Sequence, residues 1–358
     1  MSQEPSVAQA WGTPLNVFYC AYCHSAHLAP HEVTLSTCPA CLQAGVSSEP
    51  ARMRREPPEL VIPFVVDARR AGEVLAGWVR GGWFRPADLQ AETLLQRVRP
   101  AYLPLWLVDS DVAGSWQAEM GYEYQAASFQ ERYQGGRWVS NEVTETRTRW
   151  EPRVGRIERR YDNIAVPAMA EHESWMSRLG GFDFRSRRPY SARAISGSAV
   201  RVPDLPPESA WPKAQGALER TAAAECQVAS EADHIRNWSM QARFEDLHWT
   251  QMLVPAYVTW YREGETTCPV WINGQSGHVY GIERLSQRKA NMASLIVGAV
   301  AALLFMLGGL LALIGAALVA PMAIGVILIV GSLLLGLLAP VPAIGVWFKN
   351  SRQQHKDV

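Results

Sequence analysis

The longest hydrophobic stretch lies near the C-terminal end of the chain, where no charged side chain occurs from Met292 to Phe348. A helix needs about 20 apolar residues to cross the hydrocarbon core of a bilayer, so this stretch is long enough for two crossings. Pro321 lies near its middle, where a tight turn is expected. We therefore predict a transmembrane hairpin at residues 289–348, with helices at about Ser294–Val319 and Met322–Val346.

Before this stretch, the hydrophobic residues follow both helical and strand periods. Apolar side chains at helical spacing predict helices at Ala68–Trp83, Ala168–Leu179 and Glu208–Ile235. Alternating apolar and polar residues, separated by turn residues, predict strands from Ala101 to Ala126 and from Trp238 to Glu283. The fold class is therefore α+β, with a mostly antiparallel sheet in a cytosolic domain at residues 60–288.

Two strand-rich segments of this domain resemble one another, YLPLWLVDSDVAGSWQAEMG and LVPAYVTWYREGETTCPVWING. Each has a proline, an aromatic residue two positions later, turn residues and a second strand that contains tryptophan. The pattern predicts an internally duplicated hairpin, in which the first copy turns at Asp109–Asp111. A further hairpin turn is predicted at NGQSG, which follows the second copy.

Four of the six cysteines form two CxxC pairs, Cys20 with Cys23 and Cys38 with Cys41. Each CxxC turn can place two thiolates on one tetrahedral metal ion, and two such turns complete the coordination shell. In a reducing cytosol, paired CxxC motifs indicate zinc rather than disulfide bonds. We therefore predict a zinc ribbon at residues 1–45, whose Zn2+ is structural because four protein ligands leave no open position.

Other residues near the ribbon have simpler predicted roles. Three histidines are not needed as ligands once four thiolates are present: His24, His27 and His31. Cys226 and Cys268 lie far from the CxxC pairs and are expected to be ordinary buried thiols. Residues 46–59 are rich in proline, serine and charge, which predicts a linker.

Charge indicates the class of protein and its orientation in the membrane. Lys plus Arg and Asp plus Glu are equal at 34 each, which argues against nucleic-acid binding through a strong basic field. Basic residues lie on both sides of the hydrophobic stretch: Arg284, Arg288, Lys289, Lys349, Arg352 and Lys356. Because Lys and Arg are enriched on the cytoplasmic side, we predict a multi-pass protein of the cytoplasmic membrane with both termini, including a tail at residues 349–358, in the cytoplasm. The first 20 residues also lack the basic start and apolar core of a signal peptide.

No set of catalytic residues emerges from the sequence. It has no Gly-rich phosphate loop followed by Lys-Ser/Thr, no GxSxG and no HExxH motif. Scattered carboxylates are expected in turns and helix caps: Asp67, Asp88, Asp109 and Asp111. The arginines from Arg147 to Arg160 alternate with glutamates, which is typical of a solvated strand face; phosphate binding is the alternative. We therefore expect no enzymatic activity.

The order of these features resembles a family of bacterial membrane-attached zinc-ribbon proteins, the YdjG-like proteins. The resemblance covers most of the chain: two CxxC turns, then IPF, YLPLW, LVPAYV and NGQSGHVYG, then basic residues and a hydrophobic hairpin. It implies an α+β domain behind a zinc ribbon. It also implies a role in bringing PspA/ESCRT-III-like, SPFH-domain and TPM-domain proteins to stressed membrane.

The functional expectation is a membrane-anchored adaptor that recruits or holds protein partners at the inner face of the cytoplasmic membrane. The alternative is a membrane-tethered nucleic-acid-binding protein that uses the ribbon and the arginine-rich strands. A transporter subunit is the weaker third interpretation, because the predicted spans contain no ionisable residue that could line a solute pathway.

Overall fold

The computed structural model describes residues 7–50, 56–80, 83–314 and 319–354. The strands are β1 (Leu15–Cys20), β2 (Ala26–Pro30), β3 (Val46–Pro50), β4 (Leu60–Val61), β5 (Arg99–Gln134), β6 (Arg137–Pro167), β7 (Arg188–Pro189), β8 (Ala199–Arg201), β9 (His234–Glu263), β10 (Thr266–Asn273) and β11 (Val279–Gly281). The helices are α1 (Val7–Trp11), α2 (Ala68–Val79), α3 (Ala91–Gln96), α4 (His172–Leu179), α5 (Pro207–Ala229), α6 (Gln287–Ile314), α7 (Val319–Leu338) and α8 (Val341–Gln354).

All of these strands belong to one hydrogen-bonded sheet. Its main path runs β11, β10, β9, β5, β8, β2, β1 and β3; β6 pairs with β5, and β4 pairs with β7 and β9. Among the described strand pairs, β4–β9 and β5–β8 are parallel, and the long pairs that dominate the sheet are antiparallel. The prediction of an α+β fold with a mostly antiparallel sheet is therefore confirmed.

The cysteine-bearing hairpin extends this sheet at one side. β1 pairs with β2 and with β3, and β2 continues onto β8 by placing Leu28 opposite Val200. β3 lies at the start of the predicted linker, so that prediction is wrong for residues 46–50. An edge strand exposes one face and one backbone edge to water, so its polar residues are compatible with pairing. The predicted linker residues 51–55 lie outside the described residues.

The central strands β5, β6 and β9 are long, with 36, 31 and 30 residues. The predicted turn at Asp109–Asp111 is wrong, because β5 continues through these residues with a shift in register against both neighbours. The Asp109 carboxylate accepts a hydrogen bond from the backbone N–H of Asn163 at 2.6 Å. Asp109 therefore stabilises a β-bulge, and the chain does not reverse here.

The two similar segments are likewise not two copies of a hairpin. They are antiparallel neighbours in the sheet, with Tyr102 opposite Pro255 and Pro104 opposite Leu253. Only the second segment forms a hairpin, between β9 and β10. The predicted turn at NGQSG is confirmed, because it joins β10 to the antiparallel β11.

Beyond His234, the first residue of β9, strands β5 and β6 continue as a two-stranded arm, residues 122–149. β9 stops pairing with β5 at Gly121, whereas β6 remains paired as far as Gln134. Gly135 and Gly136 reverse the chain at the tip with φ values of +62° and +83°. Such left-handed values at both central residues are those of the two-residue turn that matches strand twist.

Helix α5 packs along one face of the sheet between its centre and the arm. Its fully buried residues recur every fourth position and are mostly small: Ala210, Ala214, Leu218 and Ala222. They pack against apolar side chains of β5 and β6: Val108, Val112, Tyr161 and Val166. Helices α2, α4 and α5 lie within or close to the predicted bounds, but each is shorter, because the flanking residues form strands or loops.

The apolar C-terminal region forms helices long enough to cross a membrane, Gln287–Ile314 and the run Met322–Arg352, which covers most of α7 and α8. The predicted turn at Pro321 is wrong, because α7 already begins at Val319. Proline is tolerated in a first helical turn, where the backbone N–H has no intrahelical partner. A break between α7 and α8 falls at Pro340.

Helices α6 and α7 approach each other closely where glycines face the partner helix. A Cβ atom built on Gly308 would lie 2.8 Å from the Gly325 carbonyl oxygen. A Cβ atom on Gly325 would lie 2.6 Å from the Ala312 nitrogen. The small residues of this stretch therefore allow tight packing of two apolar backbones.

Candidate metal centre

Two matched turns position the cysteines. In the first, the His24 backbone N–H donates to the Cys20 carbonyl oxygen at 3.0 Å; in the second, Leu42 donates to Cys38 at 2.9 Å. Each turn ends on a residue in the left-handed region, with φ of +57° at His24 and +62° at Leu42. β1 delivers the first turn, and its pairing with β2 and β3 holds that turn in place.

The four predicted ligands converge. The sulfur atoms of Cys20, Cys23, Cys38 and Cys41 all lie within 4.8 Å of one another. Sγ of Cys20 is 3.5 Å from Sγ of Cys41, and Sγ of Cys23 is 3.7 Å from Sγ of Cys38. Disulfide sulfurs would be about 2.05 Å apart. Four thiolates on a tetrahedral ion with bonds of about 2.3 Å lie about 3.8 Å apart. The cluster could therefore hold one metal ion.

The electrostatics of the thiols also favour a bound cation. Burial raises the pKa of Cys38 and of Cys41 above the ordinary thiol value. Burial also acts to raise the pKa of Cys20, but hydrogen bonds from the backbone of Cys23 and Tyr22 outweigh it and lower the pKa to about 7. Since two of the sites resist ionisation on their own, four thiolates need a cation to coexist in this space.

Ser25 and His27 lie directly behind the sulfurs. The Ser25 hydroxyl is 3.1 Å from Sγ of Cys23, 3.3 Å from Sγ of Cys38 and 3.1 Å from Nε2 of His27. His27 is 2% exposed; burial, with repulsion from Arg201, lowers its pKa to about 3. His27 is therefore neutral and supports the cluster from outside. Sequence reasoning missed both roles, although Ser25 lies next to β2 and two positions before His27, a spacing that puts both side chains on one side of extended chain.

The other residues considered at the sequence level lie outside the sulfur cluster. Nδ1 of His24 is 2.8 Å from the Tyr19 hydroxyl, and His31 is exposed. Cys268 is buried in the core of the sheet, and burial raises the pKa of the Cys226 thiol. The cysteines that the structure brings together are thus the two CxxC pairs.

The carboxylates noted in the sequence make structural contacts at separate places. Asp67 caps α2 by accepting from the backbone N–H of Arg70 at 2.7 Å. Asp88 forms an ion pair with Arg97, with 2.5 Å between the carboxylate oxygen and the guanidinium nitrogen. Asp109 stabilises the β-bulge, and Asp111 pairs across the strands with an arginine of β6 at 3.3 Å.

The arginine-rich face of β6 is closely matched by carboxylates. Arg149 and Arg153 both pair with Glu151, at 3.1 and 2.8 Å. Arg160 contacts three carboxylates: Asp111, Asp162 and Asp246. Exposed pairs of this kind contribute little stability, but they occupy guanidinium groups that a phosphate would need. The contacts favour the interpretation of this segment as a solvated strand face.

No family model, curated protein or solved structure matches this chain. The resemblance to the YdjG-like family therefore stays a prediction. The structure itself defines a mixed α+β protein with a four-cysteine cluster that could hold a metal ion. It also has two apolar C-terminal helices, which suggest association with a membrane.

Proposed function

We propose that this protein is a membrane-anchored zinc-ribbon adaptor, which holds protein partners at the inner face of the cytoplasmic membrane and has no enzymatic activity. One observation carries the proposal. One strand, β5, begins beside the part of β9 that contacts the start of the proposed anchor, and it continues through a bulge to the tip of the arm. Such a strand can connect a point of attachment to a distant point of contact without a flexible linker.

The anchor joins the sheet beside the start of β5. The Tyr261 hydroxyl accepts from the backbone N–H of Arg284 at 2.8 Å, three residues before α6 begins. Tyr261 lies on β9 just beyond Val258, which pairs with Arg99, the first residue of β5. At about 3.3 Å per residue, a strand of 36 residues has a contour length on the order of 100 Å.

The tip of the arm has the features of a protein-binding surface. Phe129, Tyr133 and Trp138 are 67%, 61% and 69% exposed, and their positions in the paired strands put them on one face. The rings of Tyr133 and Trp138 lie 5.4 Å apart in an edge-to-face contact. Exposed aromatic groups are enriched at protein interfaces, because they bury large areas at low entropic cost.

Zinc has a structural role in this proposal. Thiolate ligands in a tetrahedral set select Zn2+ among common cellular cations, although iron can also occupy such sites. With Cys20, Cys23, Cys38 and Cys41 all bound, a zinc ion has no position left for substrate or water. The ion would hold the two cysteine turns together at the side of the sheet.

The orientation of the anchor follows from the basic residues at both of its ends. Arg288 and Lys289 lie in the first turn of α6, and Lys349 and Arg352 lie in α8. Under the positive-inside rule, both groups belong to the cytoplasmic side, so the sheet domain and the C-terminus are cytoplasmic. The candidate partners, a PspA-like coat protein and an SPFH-domain protein, come from the family resemblance alone.

Imaging a fluorescently tagged partner in cells tests the adaptor role. Replacing Phe129, Tyr133 and Trp138 by alanine should release the partner from the membrane, while the adaptor itself stays in the membrane fraction. Tyr124→Ala is the matched control, since Tyr124 is an exposed aromatic residue on the opposite face of the same arm. Undiminished recruitment by the triple variant would remove the arm from the proposal.

The nucleic-acid alternative predicts a different result with the same protein. Full-length protein in detergent would bind duplex DNA at physiological salt, with an affinity that falls steeply as salt is added. Arg149→Gln and Arg153→Gln would weaken that binding. We expect no such binding, because these side chains are paired with Glu151. Tight, salt-dependent DNA binding would replace the adaptor proposal.

A further inference from the structure

The loop between α2 and α3 touches the beginning of the membrane anchor. The backbone N–H of Ser286, the residue before α6, donates to the carbonyl oxygen of Phe84 at 2.6 Å. The neighbouring Trp83 is 85% exposed. A large apolar ring is thus presented to the surroundings beside the point where the chain leaves the domain.

The end of α8 reaches the same place. The Asn350 side chain forms two hydrogen bonds with the backbone of Leu285, accepting at 3.0 Å and donating at 2.9 Å. Lys349 pairs with Glu283 at 3.7 Å. Three segments distant in sequence therefore meet at one end of the apolar helices; we name this meeting point the collar, residues 83–85, 283–289 and 347–352.

Basic side chains dominate the collar. They are Arg85, Arg284, Arg288, Lys289, Lys349 and Arg352. Within the same segments the acidic residue is Glu283, and Lys349 already pairs with it. The collar therefore has a clear excess of positive charge, in contrast to the arm and β6, where arginines and carboxylates alternate.

The collar extends from the headgroup layer of a bilayer to just beyond its outer edge. The uncharged stretch begins at Met292, six residues after Ser286, which corresponds to about 9 Å along a helix axis. A headgroup layer is roughly 5–8 Å thick on each side of the hydrocarbon core. Ser286 and the neighbouring Trp83 are therefore placed at the outer edge of this layer, next to the interface where tryptophan rings are enriched in membrane proteins.

We propose that the collar is a binding surface for anionic phospholipid headgroups, with Trp83 seated at the membrane–water interface. The inference rests on the proposed membrane anchor. A bilayer is the occupant that fits, because the helices that cross it begin within the collar itself. The anionic headgroup is favoured because clustered Lys and Arg beside a span attract negatively charged lipid. The α2–α3 loop would then be a second attachment, which fixes the orientation of the sheet domain on the membrane.

The position of Trp83 can be measured with the full-length protein in vesicles of mixed phosphatidylglycerol and phosphatidylcholine. Trp83→Cys carries a fluorophore, and lipids spin-labelled near the headgroup quench it. Trp138→Cys is the matched control, because Trp138 is also exposed but lies at the tip of the arm. We expect quenching several-fold stronger at position 83. Equal quenching at the two positions would overturn the proposal, whereas failure of the wild-type protein to float with vesicles would overturn the anchor itself.

Headgroup preference is tested in neutral detergent by the melting temperature of the full-length protein. Added phosphatidylglycerol should raise the melting temperature more than phosphatidylcholine or inorganic phosphate does. The triple change Arg85→Gln, Arg288→Gln and Lys289→Gln should remove most of that difference. The control is Arg132→Gln with Arg137→Gln and Arg147→Gln, which removes the same charge from the arm. An equal rise with all three additives, or an equal loss in the control variant, would contradict anionic-lipid recognition.

Discussion

Backbone groups, as well as side chains, contribute to the cysteine cluster. Each of the two turns bends so that N–H groups point toward the sulfur of its first cysteine, and these groups stabilise a thiolate before any metal binds. Burial acts in the opposite direction by raising the pKa of Cys38 and Cys41. The backbone therefore shapes the site, but it does not fully offset the cost of burying four thiolate charges. A bound cation would offset that cost, so metal binding contributes to folding.

Removing two ligands should abolish metal binding. We expect wild-type protein to contain about one zinc per chain, and Cys20→Ser with Cys23→Ser to contain none, because two thiolates alone do not complete a tetrahedral site. Metal analysis of purified protein measures both. Cys226→Ser with Cys268→Ser is the control, since these cysteines lie outside the cluster. Full zinc content in the first variant would place the metal elsewhere.

Ser25 should matter less for zinc binding than the four cysteine ligands do. Ser25→Ala removes a hydroxyl that contacts two sulfurs, and we expect zinc to remain bound but to be lost to a chelator roughly 10–100-fold more readily. Timed release to a chromogenic chelator measures the change. Ser47→Ala is the control, because the Ser47 hydroxyl donates to a carbonyl oxygen on the same hairpin without touching a sulfur. Equal rates of zinc release from the two variants would show that the Ser25 hydroxyl does not support the cysteine cluster.

The ligands could be predicted from the sequence because each pair is local, whereas their surroundings could not. Two residues separate the cysteines of each pair, so the turn geometry follows from the spacing itself. His27, in contrast, is enclosed partly by Arg201, which pairs opposite it from β8. A contact between residues so far apart depends on the sheet order, which no local pattern specifies.

At the scale of elements, the sequence predicts the presence of helices and strands more reliably than it predicts their lengths. Asp109, Ser110 and Asp111 have the composition of a turn, and a local interpretation ends the strand there. In the folded chain β5 is flanked by both β6 and β9 at these residues, so two ladders of hydrogen bonds outweigh the local preference. The polar residues are accommodated in a bulge. The same competition explains why a linker-like composition at residues 46–50 forms a strand beside β1.

Packing within the apolar helix pair leads to a prediction at this scale. Gly308→Leu would force a side chain into the backbone of α7, so we expect the hairpin to lose about 2 kcal/mol of association free energy from overpacking. Gly309→Leu is a matched control one residue away, because a Cβ atom there meets nothing within 4 Å. The melting temperature in detergent should fall for Gly308→Leu and stay unchanged for Gly309→Leu. Equal behaviour of the two would mean that α6 and α7 do not pack through Gly308.

At the scale of the whole molecule, the anchor and the sheet domain form one connected structure. The polar contacts of Tyr261 and Ser286 tie the start of α6 to the domain, and Asn350 ties the end of α8 to the same point. Both ends of the apolar region therefore lie on one side, as a hairpin with two crossings requires. This arrangement is compatible with the proposed topology, which rests on the basic residues at the two ends of the apolar region.

A reporter fused after Val358 tests that topology. We expect it to behave as cytoplasmic, because the charged residues on both sides of the apolar region favour the cytoplasmic side. A fluorescent protein that matures only in the cytoplasm and an enzyme that is active only outside it give opposite signals. The control fusion ends after Ile314, between the two crossings, and should report the outside. An external signal from the full-length fusion would mean that the apolar region crosses the membrane once or three times.

Truncation separates the binding role of the domain from the localising role of the anchor. A chain ending at Ser286 keeps the described sheet and both cysteine turns, because their hydrogen bonds come from residues before α6. The adaptor proposal therefore demands that this fragment be folded and cytosolic and that it still bind its partner in a pull-down. The same truncation should move the tagged partner from the membrane to the cytosol, because the strong lipid attachment is gone. Fusing the fragment to an unrelated two-span anchor is the control, and it should restore membrane localisation of the partner. If the partner stays at the membrane when the anchor is absent, another protein recruits it. The recruitment role would then be withdrawn, whatever the zinc content of the ribbon.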